Sequence, residues 1–192
     1  KIFCAAWLNI LWFLCCIPVF TVGASTTALY YVSFKLVRNE EGNITKQFFT
    51  AFCSNFKKAT LIWLPLLGLG ILFGIDGYVL YHIRLENVFW TLCGAVLICA
   101  GVVYLLVLLN IFPLFARFEN TISATFKNAL VMGLRYLFCS ILMAVVYFVI
   151  DYVIINIFTP FVVFGQGLGA LICSWLILPI LERLENNKDD VL

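Results

Sequence analysis

Two carboxylates, Asp76 and Asp151, lie within long apolar runs of the sequence. Of all the side chains in the chain, these two are the first candidates for a functional site. An ionisable side chain in such a run is costly in lipid and often marks a functional site. Both residues lie toward the outer ends of the helices predicted below, where they could face each other or pair with Arg84 or His82. Pairing at the outer surface is the main interpretation, and contact with a solute or an ion is the alternative.

The other reactive side chains offer little material for catalysis. His82 is the single histidine, and no serine or threonine has a base beside it in a recognisable triad arrangement. Eight cysteines are present, none in a Cys-x-x-Cys pair, and nearly all lie in apolar runs: Cys4, Cys15, Cys16, Cys53, Cys93, Cys99, Cys139 and Cys173. We interpret them as small apolar side chains. The sequence therefore predicts no metal site, no cofactor and no enzymatic activity.

The amino-acid composition indicates whether this chain is surrounded by water or by lipid. Of its 192 residues, 64% are hydrophobic, 17% are aromatic and only 11% are charged. A soluble domain carries about 25% charged residues, and one core of this length cannot hide so much apolar surface from water. These values exclude a soluble enzyme, a disordered tail and a nucleic-acid-binding protein. The predicted surroundings are a lipid bilayer, and the formal charge of +2 is too small to indicate an anionic partner.

A helix that crosses the hydrocarbon core needs roughly 20 residues. Five apolar runs qualify, at residues 3–22, 59–81, 88–115, 136–158 and 161–181. Lipid offers the backbone no hydrogen-bond partners, and no alternating pattern indicates a barrel, so the runs predict helices. The predicted fold class is all-α, a polytopic transmembrane bundle of about five spans, with two similar helical hairpins after a kinked first helix.

The amino-terminal region allows two arrangements. Pro18 and Gly23 interrupt an apolar stretch that resumes at residues 24–37. We favour one long kinked helix, because Lys35 and Arg38 then end it at the cytoplasmic surface and the amino terminus lies outside. The alternative is a hairpin, whose second arm is re-entrant or lies on the membrane and whose amino terminus lies inside.

Charge asymmetry predicts the orientation. Ten of the twelve basic residues fall on alternate connections or after the last span: Lys35, Arg38, Lys46, Lys57, Lys58, Arg117, Lys127, Arg135, Arg183 and Lys188. The positive-inside rule places these connections in the cytoplasm. The carboxyl terminus is therefore predicted to be cytoplasmic.

An internal repeat divides the chain. Residues 111–120 and 177–186 share five of ten positions, in the pattern Ile-x-Pro-x-x-x-Arg-x-Glu-Asn. The segments before the second and fourth spans, residues 44–65 and 122–143, also align. The predicted divisions of this single membrane domain are a kinked first span (1–38), two hairpin units (44–120 and 122–186) and a cytoplasmic tail (187–192).

The repeated ending supplies candidate partner contacts, Arg117, Glu119, Arg183 and Glu185. Arginine there complements the negative end of a helix and anchors at lipid headgroups, and glutamate can pair with a neighbouring helix end. The simplest interpretation is an interface anchor used twice. The alternative is a docking surface for a cytoplasmic partner.

A second candidate partner contact is the stripe formed by Phe48, Phe52 and Phe56, which recur every four residues before the second span. With polar residues on the opposite face, the segment predicts an amphipathic helix in the cytoplasmic headgroup zone. It either leads the chain into the span or is presented to a partner.

Small residues predict close helix packing. Gly70 and Gly74 form a Gly-x-x-x-Gly pair in the second span, and Gly165 and Gly169 lie at the start of the fifth. Such residues let helix backbones approach each other in lipid.

The sequence resembles the YesL-like family of bacterial membrane proteins, catalogued as domain of unknown function 624. The resemblance rests on residues 8–14, 17–31, 35–42, 48–58 and 113–120, and on the signature Pro-x-x-Thr-x-Gly-Ala-Ser-Thr-x-Ala-Leu-Tyr-Tyr from Pro18. It implies a small multi-pass protein of the bacterial plasma membrane, of a kind often encoded beside carbohydrate-uptake ABC transporters and glycan-degrading enzymes. It carries over no catalytic or ligand-binding residue.

These observations favour a non-enzymatic accessory subunit of an oligosaccharide ABC importer, which packs against ABC permease subunits. A small carrier whose solute touches Asp76 and Asp151 is one alternative. A membrane sensor or assembly factor is another.

Overall fold

The computed structural model describes residues 2–40, 42–83, 88–118, 121–157 and 162–186. Within these ranges the chain forms α-helices, one 3₁₀ turn (Val19–Thr21) and no strand. The helices are α1 (Ile2–Cys16), α2 (Val22–Val37), α3 (Ile44–Ile83), α4 (Val88–Arg117), α5 (Ile122–Arg135), α6 (Leu137–Asn156) and α7 (Val162–Asn186). The predicted all-helical bundle is confirmed.

Four stretches of helix are long and apolar enough to cross a membrane: Ile44–Leu80, Val88–Arg117, Leu137–Asn156 and Gly165–Glu185. The predicted first span, residues 3–22, is not among them. Helix α1 has 15 residues and rises about 22 Å, which is less than the core thickness of about 30 Å. The described chain therefore has four span-length helices, and the expectation of five is corrected.

The amino-terminal region is a hairpin and not the kinked helix that we favoured. Trp12 Nε1 donates a hydrogen bond to Thr26 Oγ1 across 3.2 Å, whereas fourteen residues of continuous helix would separate them by about 21 Å. Proline breaks the helical hydrogen-bond ladder, and both the backbone N–H and the hydroxyl of Thr21 donate to the carbonyl oxygen of Pro18. The chain therefore turns back between α1 and α2.

Helix α2 lies at the centre of the bundle, in contact with α1, α3, α4 and α7. Its first turn fits closely against α3. A Cβ atom added to Gly23 would lie 2.6 Å from Trp63 Cβ and 2.7 Å from the carbonyl oxygen of Ala59. The absence of a side chain at Gly23 is therefore what permits this approach.

The two hairpin units differ where the repeat predicts similarity. In the first unit, the leading segment continues through Pro65 into one helix, α3. In the second unit, Tyr136 separates α5 from α6. Helix α5 packs on α4, where a Cβ atom on Gly133 would lie 3.2 Å from Leu106 Cβ.

Large apolar side chains cover much of the outside of the bundle. Examples are Ile71 and Ile75 on α3, and Val96 and Ile98 on α4. A continuous apolar surface of this kind is unfavourable in water and favourable among acyl chains. The arrangement therefore suits a bundle surrounded by lipid.

Candidate functional site

Two ion pairs join three helix ends at one end of the bundle. Arg38, just after α2, donates from Nη2 to Glu182 Oε1 at 2.7 Å and from Nε to the same atom at 3.0 Å. Arg117, the last residue of α4, donates from Nη2 to Glu185 Oε2 at 2.6 Å. Because both glutamates lie in the last turns of α7, the ends of α2, α4 and α7 meet here. We call these four residues the arginine–glutamate end.

The internal repeat explains one of these pairs. Glu185 belongs to the second copy of the repeated ending and bonds to Arg117 of the first copy. Its counterpart Glu119 lies outside the described residues. Arg183 is exposed and forms no ion pair within the described part of the chain.

Sequence reasoning missed Glu182. The position equivalent to Glu182 in the first copy is Ala116, so the repeat gave no reason to select it. A signal was nevertheless present, because residues three apart lie on the same face of a helix. Glu182 therefore had to point in nearly the same direction as Glu185.

The phenylalanine stripe packs against the core of the chain, which corrects the expectation that Phe48 is available to a partner. Phe48 is wholly buried, and Phe52 and Phe56 are half-buried against the core. Their rings follow one another, with centroids 6.3 Å apart for Phe48–Phe52 and 5.5 Å apart for Phe52–Phe56. The stripe therefore lies on the side of α3 that faces the hydrophobic core of the chain.

A polar cavity of about 340 Å³ lies beside the arginine–glutamate end. Tyr31, Asn55, Lys58 and Arg117 line it, among others from α2, α3 and α4. The Nε–H group of Arg117 is buried without an acceptor, and Lys58 forms no ion pair with a described carboxylate. The cavity therefore has an excess of positive charge, which suits an anionic group.

The structure does not bring the two candidate carboxylates together. Asp76 is half-buried on α3 and Asp151 is exposed on α6, and these helices are not neighbours in the described bundle. Asp151 accepts a hydrogen bond from Gln166 Nε2 at 2.9 Å. Arg84, one of the expected partners, lies outside the described residues, and His82 Nδ1 lies 3.0 Å from the carbonyl oxygen of Tyr78.

Asp151 lies at the edge of a larger cavity of about 680 Å³, which we call the lateral cavity. Its apolar wall comes from α4 and α6. The cavity is also lined by polar or aromatic side chains from α1, α2, α6 and α7, namely Trp12, Thr26, Tyr30, Tyr147, Asp151 and Gln166. A volume of this size is within the range of pockets that hold small ligands, about 300–1,000 Å³.

The predicted packing glycines have different surroundings. A Cβ atom on Gly70 would lie 2.8 Å from the hydroxyl oxygen of Tyr104, and one on Gly169 would lie 2.9 Å from Ile150 Cδ1. Gly165 is buried. A Cβ atom on Gly74 would meet no neighbouring atom within 4 Å, so Gly74 packs against no other helix of the described chain. This part of α3 is open on that side, and close packing at Gly74 stays a prediction.

Two asparagines that sequence reasoning did not select join helices in the interior. Asn9 Oδ1 accepts from the backbone N–H of Gly167 at 2.9 Å, which ties α1 to α7. Asn110 Nδ2 donates to Ser140 Oγ at 2.9 Å, which ties α4 to α6. An uncharged polar residue in an apolar run is a signal for such interhelical bonds.

Within the described residues, no three histidine, cysteine or acidic side chains lie close enough together to hold a metal ion. All eight cysteines are free thiols. Cys173 is buried, whereas Cys53 and Cys99 are exposed on α3 and α4.

Four span-length apolar helices in an all-helical bundle fit the class of multi-pass membrane proteins. Residues 5–77 match the family described as "Protein of unknown function, DUF624". This match confirms the resemblance to domain of unknown function 624, over the amino-terminal hairpin and most of α3. The YesL-like name stays a prediction. Neither the curated proteins nor the solved structures contain a match to this chain.

Proposed function

We propose that this chain is a non-enzymatic integral membrane protein that serves as an accessory subunit of a carbohydrate ABC import system. Its cargo would be an oligosaccharide handled by ABC permease subunits, with which the chain packs in the bacterial plasma membrane. Its carboxyl terminus would lie in the cytoplasm, as the distribution of basic residues predicts. The genomic neighbourhood that the family resemblance implies supports this choice of partner.

The observation that carries the proposal is the use of polar side chains between helices. Arg38, Arg117, Asn9 and Asn110 each bond to a residue of another helix. In lipid, such bonds hold helices together. These residues therefore act as a scaffold, which supports a structural subunit more than a catalyst.

The outer half of α3 offers a face that a partner helix could cover. A Cβ atom added to Gly74 or Gly77 would have no neighbouring atom within 4 Å. Neighbouring Ile75 and Tyr78 are exposed. Small residues flanked by large apolar ones allow close approach between helices in lipid, so we assign the permease contact to this face.

Purification of the tagged full chain from native membranes in mild detergent tests the proposal. The permease and ATPase subunits should co-purify, and deletion of the chain should reduce oligosaccharide uptake. The double variant Gly74→Leu with Gly77→Leu should lose the permease, whereas Ala95→Leu, a matched enlargement on exposed α4, should retain it. Absence of importer subunits from the preparation, with uptake unchanged on deletion, would contradict the proposal.

The carrier alternative requires a different geometry. A solute that touches both Asp76 and Asp151 would have to bridge helices that are not neighbours in the described bundle. The sensor alternative would give co-purification without an effect of deletion on uptake, and an assembly factor would lower uptake only by lowering the amount of assembled importer. The uptake assay therefore distinguishes an accessory subunit from a sensor.

A further inference from the structure

The lateral cavity opens toward the lipid-facing side of the bundle. Leu105 on α4 and Ile141, Val145 and Phe148 on α6 line it. All four belong to the exposed large side chains, and Phe148 is 72% exposed. A molecule in the surrounding bilayer can therefore enter from the side without crossing the protein.

The length of the cavity matches one leaflet. Its lining on α6 extends from Ile141 to Asp151, and ten residues of helix rise about 15 Å. The hydrocarbon core is about 30 Å thick, so one leaflet contributes about 15 Å. Asp151 lies five residues before the end of α6 at Asn156, about 8 Å along the axis, which places it close to the headgroup region.

The polar part of the cavity carries one uncompensated charge. Trp12 donates to Thr26, and the hydroxyls of Tyr30 and Tyr147 lie 2.7 Å apart in a mutual hydrogen bond. The Asp151 carboxylate accepts only from the neutral amide of Gln166, and no described basic side chain pairs with it. A cationic group of a bound molecule would complement this carboxylate.

The aromatic lining adds to this preference. Trp12, Tyr30, Tyr147 and Phe148 contribute rings to the cavity. The face of an aromatic ring attracts a cation, most strongly when water is excluded. Carboxylate and rings together therefore favour a headgroup that contains an ammonium group over one that contains none.

We propose that the lateral cavity binds one phospholipid with a primary ammonium headgroup from the surrounding bilayer. One acyl chain lies along the wall formed by Leu105, Ile141 and Val145. The ammonium group donates a hydrogen bond to Oδ2 of the Asp151 carboxylate, the oxygen atom to which Gln166 does not donate.

Native mass spectrometry of the purified full chain tests this assignment. The protein is delipidated and then incubated with an equimolar mixture of chain-matched phosphatidylethanolamine, phosphatidylglycerol and phosphatidylcholine. We expect one phosphatidylethanolamine per chain to be retained in preference. Asp151→Asn, which keeps the shape of the side chain, should reduce this preference about tenfold, equivalent to about 1.4 kcal/mol, because a charged hydrogen bond is lost.

Two further variants complete the experiment. Asp76→Asn removes the other carboxylate, outside this cavity, and should leave the preference unchanged. Ala144→Trp fills the cavity and should remove the retained lipid. Because Ala144→Trp can also disturb folding, the isosteric Asp151→Asn variant decides the outcome.

Three results would overturn the proposal. They are equal retention of the three lipids, preferential retention of phosphatidylglycerol or phosphatidylcholine, and a phosphatidylethanolamine preference that survives in Asp151→Asn. Retention of a co-purified protein segment in the cavity, with exclusion of lipid, would equally contradict it.

Discussion

Replacement of Gly167 by alanine should destabilise the protein although alanine favours helices. A Cβ atom at this position would lie 2.5 Å from the carbonyl oxygen of Ala5 and 2.8 Å from Asn9 Cβ. An ordinary contact requires at least 3.4 Å, so α1 would have to move by about 1 Å. That movement also lengthens the hydrogen bond from the Gly167 N–H group to Asn9, now 2.9 Å.

The magnitude follows from three contributions to the free energy of unfolding. Overpacking costs about 1–3 kcal/mol, and the weakened hydrogen bond costs about 0.6 kcal/mol in a membrane protein. The higher helix propensity of alanine returns about 1 kcal/mol. We expect Gly167→Ala to lower the free energy of unfolding by about 0.6–2.6 kcal/mol.

Gly74→Ala is the matched control, since the space around that position is open. There the propensity gain acts alone, and we expect a change between zero and a gain of about 1 kcal/mol. Reversible unfolding in mixed micelles, followed by tryptophan fluorescence and circular dichroism, measures both variants. Equal effects of the two substitutions would refute the proposed α1–α7 contact.

Three other predictions concern the contacts between helices. In a double-mutant cycle, Arg117→Gln and Glu185→Gln should couple by about 1 kcal/mol in micelle unfolding, because the pair is only partly exposed; additive effects would argue against the pair. Asn110→Leu should lower the free energy of unfolding by about 1 kcal/mol by removing an interhelical hydrogen bond, and an unchanged value would contradict that role. Cysteines introduced at Trp12 and Thr26, with the native cysteines replaced, should be cross-linked by a short bifunctional reagent, a result that one continuous helix would not allow.

The apolar patterns predicted the secondary structure well because lipid leaves the backbone few alternatives. The second to fifth apolar runs correspond to α3, α4, α6 and α7, respectively. Only a few residues at the ends of these runs lie outside the helices or outside the described part of the chain. The amino-terminal arrangement was harder. Pro18 marks a break in a helix, but a proline does not specify the direction of the chain after the break, and the deciding bond joins Trp12 to Thr26.

The same limit applies to the candidate sites. The spacing of Phe48, Phe52 and Phe56 indicates an apolar face, but periodicity does not tell whether a partner or another helix of the chain covers it. In the structure this face packs against the hydrophobic core of the chain. For Asp76 and Asp151, the sequence indicates that both lie at a similar depth in the membrane. It does not indicate whether their helices are neighbours, because that depends on how the helices pack around α2.

The repeated ending was more informative because it contains both members of an ion pair. Arg117 and Glu185 belong to different copies, so similar helix ends at the same level could bond to each other. Glu182 lies outside the repeated pattern and pairs with Arg38. Tertiary structure was needed to identify that second pair.

Accessibility labelling tests the central claim, that α2, α4 and α7 end on one side of the membrane. Single cysteines replace Glu40, Arg117, Arg183 or Tyr78 in a chain without its native cysteines, and an impermeant maleimide is added to vesicles of known orientation. We predict that the first three positions react from one side, and that Tyr78, toward the far end of α3, reacts from the other. Labelling of Glu40→Cys, Arg117→Cys or Arg183→Cys from the same side as Tyr78→Cys would contradict the account.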